Sequence, residues 1–195
     1  MNYPTPPASA FLPTIKPKNY PYVYMGEINE AHYEPDVFDR FNGVVKTGSK
    51  KTFLHYRTYD WTNPNYYVEL KSRNNDYVVY KTTMIGYNKV QEWEKDTTGR
   101  RYFFLFGFLD GLYEWELTKA NYDEIGGKNA VSLAPLAYQA SEDYTTFNKE
   151  KLHLYIPITK LTKICDKGCL VPDDLVYKSR RSAGLHPCGV CWIKL

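Results

Sequence analysis

An aspartate, a short turn and a Glu-x-Lys triplet lie close together in the stretch Asp60 to Arg73, DWTNPNYYVELKSR. On an extended strand alternate side chains share a face, so Glu69 and Lys71 point one way while Val68 and Leu70 can be buried on the other. A reversal at Asn63-Pro64-Asn65 would return Asp60 to the side of Glu69. Two carboxylates held that close repel unless a cation lies between them, and a hard divalent ion such as Mg²⁺ takes such oxygen ligands. With Lys71 placed to orient water or steady negative charge on a phosphate, the set has the parts that hydrolytic phosphoryl transfer needs. The same triplet also occurs on ordinary solvated strand faces, where a Glu-x-Lys pair contributes little. The surrounding elements therefore decide how it is read.

The chain has 195 residues, long enough for one domain with a sizeable core and a small appendage. Hydrophobic residues at 43% and charged residues at 24% are those of a soluble globular protein. A formal charge of +3 is too small to drive nucleic-acid binding by itself, so such affinity would rest on local patches. Lys46 with Lys50 and Lys51, Arg100 with Arg101, and Lys178 with Arg180 and Arg181 are candidates, and each also fits a solvated loop. No apolar run approaches the ~20 residues of a membrane span, and the first residues lack a secretion signal. The expectation is an intracellular protein without membrane partners. All four cysteines follow position 164, which suits a reducing compartment better than a disulfide framework.

Pro4, Pro6, Pro7, Pro13, Pro17 and Pro21 make residues 1–24 an extended arm, suited to tethering a partner or to no task at all. A helix is expected from Gly26 to Phe41, with Phe38 and Phe41 on its apolar stripe and Gly43 as its stop. Thr52 to Tyr59 alternates as a strand and delivers Asp60. Met84 to Lys95 has the periodicity of an amphipathic helix, with Lys89 projecting from or near the buried stripe. Tyr102 to Leu109 is a continuous apolar strand, Asp110-Gly111 a two-residue turn, and Leu112 to Leu117 the returning strand. Residues 120–147 show little periodicity and are expected as a long surface excursion. Leu152 to Ile158 is a short strand that Pro157 assigns to a sheet edge. The sum is a mixed α/β pattern, a small sheet with helices packed on it.

With these residues in place, the chain resembles the PD-(D/E)xK nuclease superfamily, most closely its compact members from large DNA viruses and phages. The stretches that carry the resemblance are Asp60 to Arg73, Thr83 to Lys89 and Phe106 to Tyr113, and it covers about residues 25 to 165. The resemblance implies a restriction-endonuclease-like mixed β-sheet flanked by helices at 25–164, between the proline arm and a cysteine-bearing tail at 165–195. It implies that Asp60 and Glu69 bind Mg²⁺ or Mn²⁺ with the Leu70 carbonyl as third ligand, that Lys71 is the catalytic lysine, and that Glu30 is the further glutamate of the first helix. Asp60 is preceded by Tyr59 and not by proline, so its position identifies it more than its flank does. Direct in-line attack of metal-activated water on a DNA phosphodiester would follow, with Arg57, Arg73 and Lys89 holding phosphates. No base-reading element is visible, which implies weak sequence specificity. A two-fold pair would suit cleavage of both strands.

Cys165 and Cys169, with Cys188 and Cys191, form two short-spaced pairs that could close a tetrahedral structural Zn²⁺ site, with His186 as a substitute ligand; free thiols or a redox pair need no metal. His32, His55 and His153 have no metal or catalytic spacing. A rival of another class is a protein that keeps the nuclease fold without catalysis and serves as a nucleic-acid-binding or virion structural component, docking a virion or replication-complex partner through its N-terminal arm.

Overall fold

The computed structural model describes residues 21–47, 59–133 and 152–170. It is a mixed α/β arrangement with one six-stranded and one three-stranded sheet. The larger sheet has the order β1 (Val45–Lys46), β2 (Trp61–Thr62), β3 (Tyr66–Ser72), β5 (Arg101–Phe108), β6 (Gly111–Leu117), β9 (Thr162–Cys165). The smaller has the order β4 (Thr82–Gly86), β8 (Leu152–Pro157), β7 (Val131–Leu133). Among the described residues three α-helices flank them: α1 (Pro21–Arg40), α2 (Tyr87–Lys95) and α3 (Lys119–Glu124).

Strands β3 and β5 run parallel, and the β4–α2 segment is the crossover between them. Both faces of this pair are covered, which explains the unbroken apolar run of β5. One face carries Val68, Leu70, Phe103 and Leu105 against Tyr33 and Val37 of α1 and Phe41 just past its end. The other carries Phe104, Phe106 and Trp115 against Ile85, Val90, Leu154 and Ile156 from β4, α2 and β8. Tyr33 fits against β5 because residue 107 is glycine: a Cβ there would lie 2.8 Å from the Tyr33 ring.

The β2–β3 hairpin forms where expected. The Asn63 side chain accepts the amides of Asn65 and Tyr66 at 2.8 and 2.9 Å, an Asx turn that reverses the chain. Helix α1 ends as expected, with Asn42 and Gly43 left-handed and the Gly43 amide bonded to the Phe38 carbonyl.

Several boundaries differ from the sequence reading. Helix α1 begins at Pro21, inside the expected arm, because proline is tolerated at a first helical position; Pro35 sits inside the helix. Phe41 is buried, but Phe38 is 45% exposed and folds over Gly43. Met84 and Ile85 belong to β4, not to a helix, since pairing with β8 outweighs the helical periodicity they share with α2. The β5–β6 turn is Leu109-Asp110, because Gly111 already pairs with Phe108. Of the excursion expected at 120–147, residues 134–147 lie outside the described residues, and 120–133 hold regular elements: Thr118 caps α3 by accepting the Asn121 amide, and β7 follows. Strand β8 is central in its sheet and not an edge; Pro157 is its last residue, where a missing N–H interrupts no further ladder. The Thr52–Tyr59 strand, apart from Tyr59 itself, lies outside the described residues, as do residues 1–20 of the arm.

The packed unit continues past residue 164. The buried Asn29 amide grips both backbone groups of Leu170, Tyr33 donates to the Lys167 carbonyl, and Lys167 pairs with Asp36. These contacts strap residues 167–170 along α1.

Candidate functional site

The register Trp61↔Val68 makes Asp60 the next residue along, opposite Glu69. Because β2 is only two residues long, it leaves the Leu70 amide of β3 without a strand partner on that side. Asp60 Oδ2 accepts that amide at 2.7 Å. A strand residue's N–H and C=O leave on the same side, so the Leu70 carbonyl faces the same edge as Asp60. The bend after Tyr59 is held by Thr47, whose hydroxyl donates to the Tyr59 carbonyl at 2.5 Å and whose amide donates to the Asp60 carbonyl at 2.9 Å.

Glu69 is 4% exposed, on the face that β3 shares with Tyr67 and Lys71. Each of its oxygens meets an ammonium: Lys71 at 2.5 Å on Oε1 and Lys89 at 3.3 Å on Oε2. Lys71 comes from the same strand face, whereas Lys89 reaches in from the first turn of α2. The Lys89 ammonium also sits over the Tyr59 ring, 4.7 Å from its centroid. Glu30 of α1 is paired with Lys46 of β1 at 2.9 Å and lies near enough to Asp60 for its charge to be felt there.

Burial, then the charges of Glu69 and Glu30, push the Asp60 carboxyl up to about 8 against the opposing pull of Lys71 and the Leu70 amide. Burial pulls the Lys71 ammonium down, but the charges of Glu69 and Asp60 outweigh it and hold the group above its ordinary value. The donor set, two carboxylates and one carbonyl at a strand edge, suits a hard oxygen-seeking cation. Among the described residues no three side chains of the His, Cys, Asp and Glu types form a group that could hold a metal ion.

Of the residues expected at the site, Asp60, Glu69, Leu70, Lys71, Lys89 and Glu30 come together. Arg73 does not join them as a free phosphate ligand. Its guanidinium bridges to Thr83 Oγ1 at 3.1 Å and to the Met84 carbonyl at 2.7 Å, and it lies over the Phe106 ring. It joins the end of β3 to β4. Arg57 lies outside the described residues. Of the basic clusters, Lys46 is taken by Glu30 and Arg101 by Glu116, while Arg100 donates to the Tyr67 hydroxyl and covers its ring. Cys169 is buried; its thiol donates to the Arg73 carbonyl at 2.8 Å, and burial pushes it up to about 11. Cys165 is half-buried, and Cys188, Cys191 and His186 lie outside the described residues.

Two residues at the site escaped the sequence reading. Tyr59 supplies the aromatic floor under Lys89, and its hydroxyl donates to the Lys89 carbonyl at 3.3 Å. Glu92 follows Lys89 by three positions on α2, the spacing at which helical side chains are neighbours, and that spacing was the available signal. Burial and the charge of Glu69 raise its carboxyl against the lowering influence of Lys89 and Lys95. In chemical terms the site sets the Asp60 carboxyl within charge reach of Glu69, with the partly exposed Lys71 side chain at the rim and the buried Lys89 behind. No protein-family model matches this chain, and no curated protein matches it either.

Proposed function

We propose that the protein is a divalent-metal-dependent nuclease that hydrolyses phosphodiester bonds of DNA, on a restriction-endonuclease-like scaffold formed by the mixed sheet between α1 and α2. The observation that carries this reading is the meeting of Asp60, the Leu70 backbone and Glu69 at one strand edge, with Lys71 bonded to Glu69 at 2.5 Å. A bound Mg²⁺ or Mn²⁺ would supply Lewis acidity toward the phosphate and a water made nucleophilic at neutral pH.

The chain's own residues have separable tasks. Asp60, Glu69 and the Leu70 carbonyl would hold the ion. The Lys71 side chain is 32% exposed, so its ammonium can leave Glu69 for a phosphate oxygen and meet charge that develops there. Glu30, held by Lys46, adds negative charge on the α1 side of Asp60. Aromatic packing on both faces leaves Glu69 only 4% exposed and strengthens its charge interactions.

Incubation of the purified protein with plasmid DNA and Mg²⁺ or Mn²⁺, against EDTA and against Lys71→Ala, tests the reading. Metal-dependent cleavage lost in the variant supports it. A second reading draws on the engagement of both Glu69 oxygens by lysines, a closed ion pair of the kind found in purely structural sites. Under it the protein keeps a nuclease-like fold and binds nucleic acid, or serves in a virion, without cutting. DNA bound yet intact under every metal would favour that rival.

A further inference from the structure

We infer that Lys89 is the resident counter-ion of Glu69, and that a divalent ion arriving at Asp60 and Glu69 hands the Lys89 ammonium over to Glu92. The inference rests on the reading of those two carboxylates as ion ligands. It assigns a task to Glu92 and makes Lys89 a positioning residue, not a phosphate ligand.

Three observations carry it. First, the two ammoniums on Glu69 differ in their access to water: the Lys71 side chain is 32% exposed and the Lys89 side chain 11%. When an ion takes the charge of Glu69, Lys71 can turn to solvent or to a phosphate. Lys89 cannot, and a buried ammonium without a counter-charge is strongly unfavourable. Second, an acceptor waits beside it. Glu92 Oε2 is withdrawn from water and has no hydrogen-bond partner among the described residues, although the carboxylate lies one helical turn from Lys89 and within reach of its charge. Third, the path is lined. The Tyr59 ring lies 4.7 Å from the ammonium and offers a cation–π surface, while the Tyr59 hydroxyl bonded to the Lys89 carbonyl fixes the start of the helix. The lysine thus neutralises Glu69 while the ion is absent and opposes the ion's entry, and Glu92 lowers that opposition.

Mn²⁺ binding to the full chain without DNA, followed by electron paramagnetic resonance of the free ion, tests this independently of cleavage. Lys89→Met should bind Mn²⁺ at least about tenfold more tightly, since a unit charge beside the ion is removed, and Lys89→Arg should restore the wild-type affinity. Glu92→Gln should bind at least about tenfold more weakly, and that loss should vanish in the Lys89→Met background, as required of a residue acting through Lys89. Unchanged or weaker binding by Lys89→Met overturns the inference, as does a Glu92→Gln loss of equal size in both backgrounds. A measurement without a charge change guards against misfolded variants: the Lys89 ammonium NMR resonance, assigned by its absence in Lys89→Arg, must shift on saturation with Mg²⁺, and an unmoved resonance overturns the inference. If neither wild type nor Lys89→Met binds Mn²⁺, or Asp60→Asn binds it as well as wild type, the metal-site reading itself falls and takes the inference with it.

Discussion

The Asp60 carboxylate accepts the Leu70 backbone amide at 2.7 Å, one residue along from the Glu69 side chain that repels it. The hydrogen bond favours the charged carboxylate, but burial and the neighbouring carboxylates win, and the group rises to about 8 from an ordinary 3.8. A carboxyl raised on folding binds more protons in the folded than in the unfolded state between those values. Its contribution to stability is therefore complete below about 3.8 and is lost as pH rises through about 8. Asp60→Asn keeps the acceptor for Leu70 and removes the charge. Metal-free Asp60→Asn should melt above wild type at pH 8, by a margin that shrinks toward pH 5. Mg²⁺ should raise the melting temperature of wild type and leave the variant unmoved. Thermal melts in EDTA and in Mg²⁺ across that pH range check both statements.

Lys71 and Glu69 should separate when each is replaced. Lys71 is the partly exposed rim member of the Glu69 ion pairs, and Lys89 stays on Glu69 when it is removed, so Lys71→Ala should fold with nearly wild-type stability while cleavage falls by roughly 10²–10³-fold, the loss typical of a removed charge-stabilising donor. Glu69→Ala takes the charge partner from the buried Lys89 ammonium; with Glu92 at hand to receive it the loss should fall short of the roughly 3–5 kcal/mol of a broken buried pair, and the full loss should appear once Glu92→Gln is added. Chemical denaturation beside the plasmid assay distinguishes the two. Equal destabilisation by both changes would mean that Lys71 is as structural as its partner.

Gly107 is where α1 meets the sheet, and a methyl group added there would meet Tyr33 Cε2 at 2.8 Å and Cys169 Cβ at 3.3 Å. Gly107→Ala should cost about 1–3 kcal/mol through overpacking. Because α1 also carries Glu30, displacement of the helix should weaken Mn²⁺ binding as well. Tyr33→Leu in the same chain should recover part of both losses, a coupling that a double-mutant cycle measures.

The pairing of Asp60 with Glu69 was legible because an Asx-forming turn and strand alternation are both local signals. The β5–β6 hairpin was legible for the same reason, to within one residue at its turn. Met84 and Ile85 were misread because two apolar neighbours satisfy a helical stripe and a strand equally, and only pairing with Tyr155 and Leu154 decides between them. The strap on α1 could not be read at all: Asn29 and Leu170 are 141 positions apart, and no periodicity links them. Glu92 was signalled by its spacing from Lys89, but what it does was hidden for a related reason. Its meaning depends on Lys89 pointing at β3, and that in turn depends on β4 having placed the start of α2 over the strand.

Arg73 illustrates how a residue near the site can belong to the fold. Its Nε and Nη2 bond Thr83 and the Met84 carbonyl, and its plane covers Phe106, so it ties the β3 end to β4. Arg73→Ala should lower stability by roughly 1–3 kcal/mol from the lost charged hydrogen bonds. A residue that neutralised a phosphate would also change how DNA affinity falls with salt, by about one unit of slope. Arg73→Ala should leave that slope unchanged, and a reduced slope in binding titrations from low to high salt would return Arg73 to the DNA.

Cys169 carries the last prediction, because its surroundings bear on whether the cysteine-bearing tail can hold zinc. The thiol is buried, donates to the Arg73 carbonyl at 2.8 Å and is pushed up to about 11 by burial, whereas a zinc ligand must be a thiolate. In the folded chain Cys169 should resist alkylation at pH 8 while the half-buried Cys165 reacts, and both should react once the chain is unfolded. Protein purified without chelator adds the metal side of the test, since a Cys₄ site holds about one zinc per chain. Zinc at that ratio, with Cys165 and Cys169 both protected and both released by chelator, would mean that Cys169 turns from Arg73 to the metal. Cys169 protected with or without chelator would instead mark it as a packing thiol beneath the strap on α1.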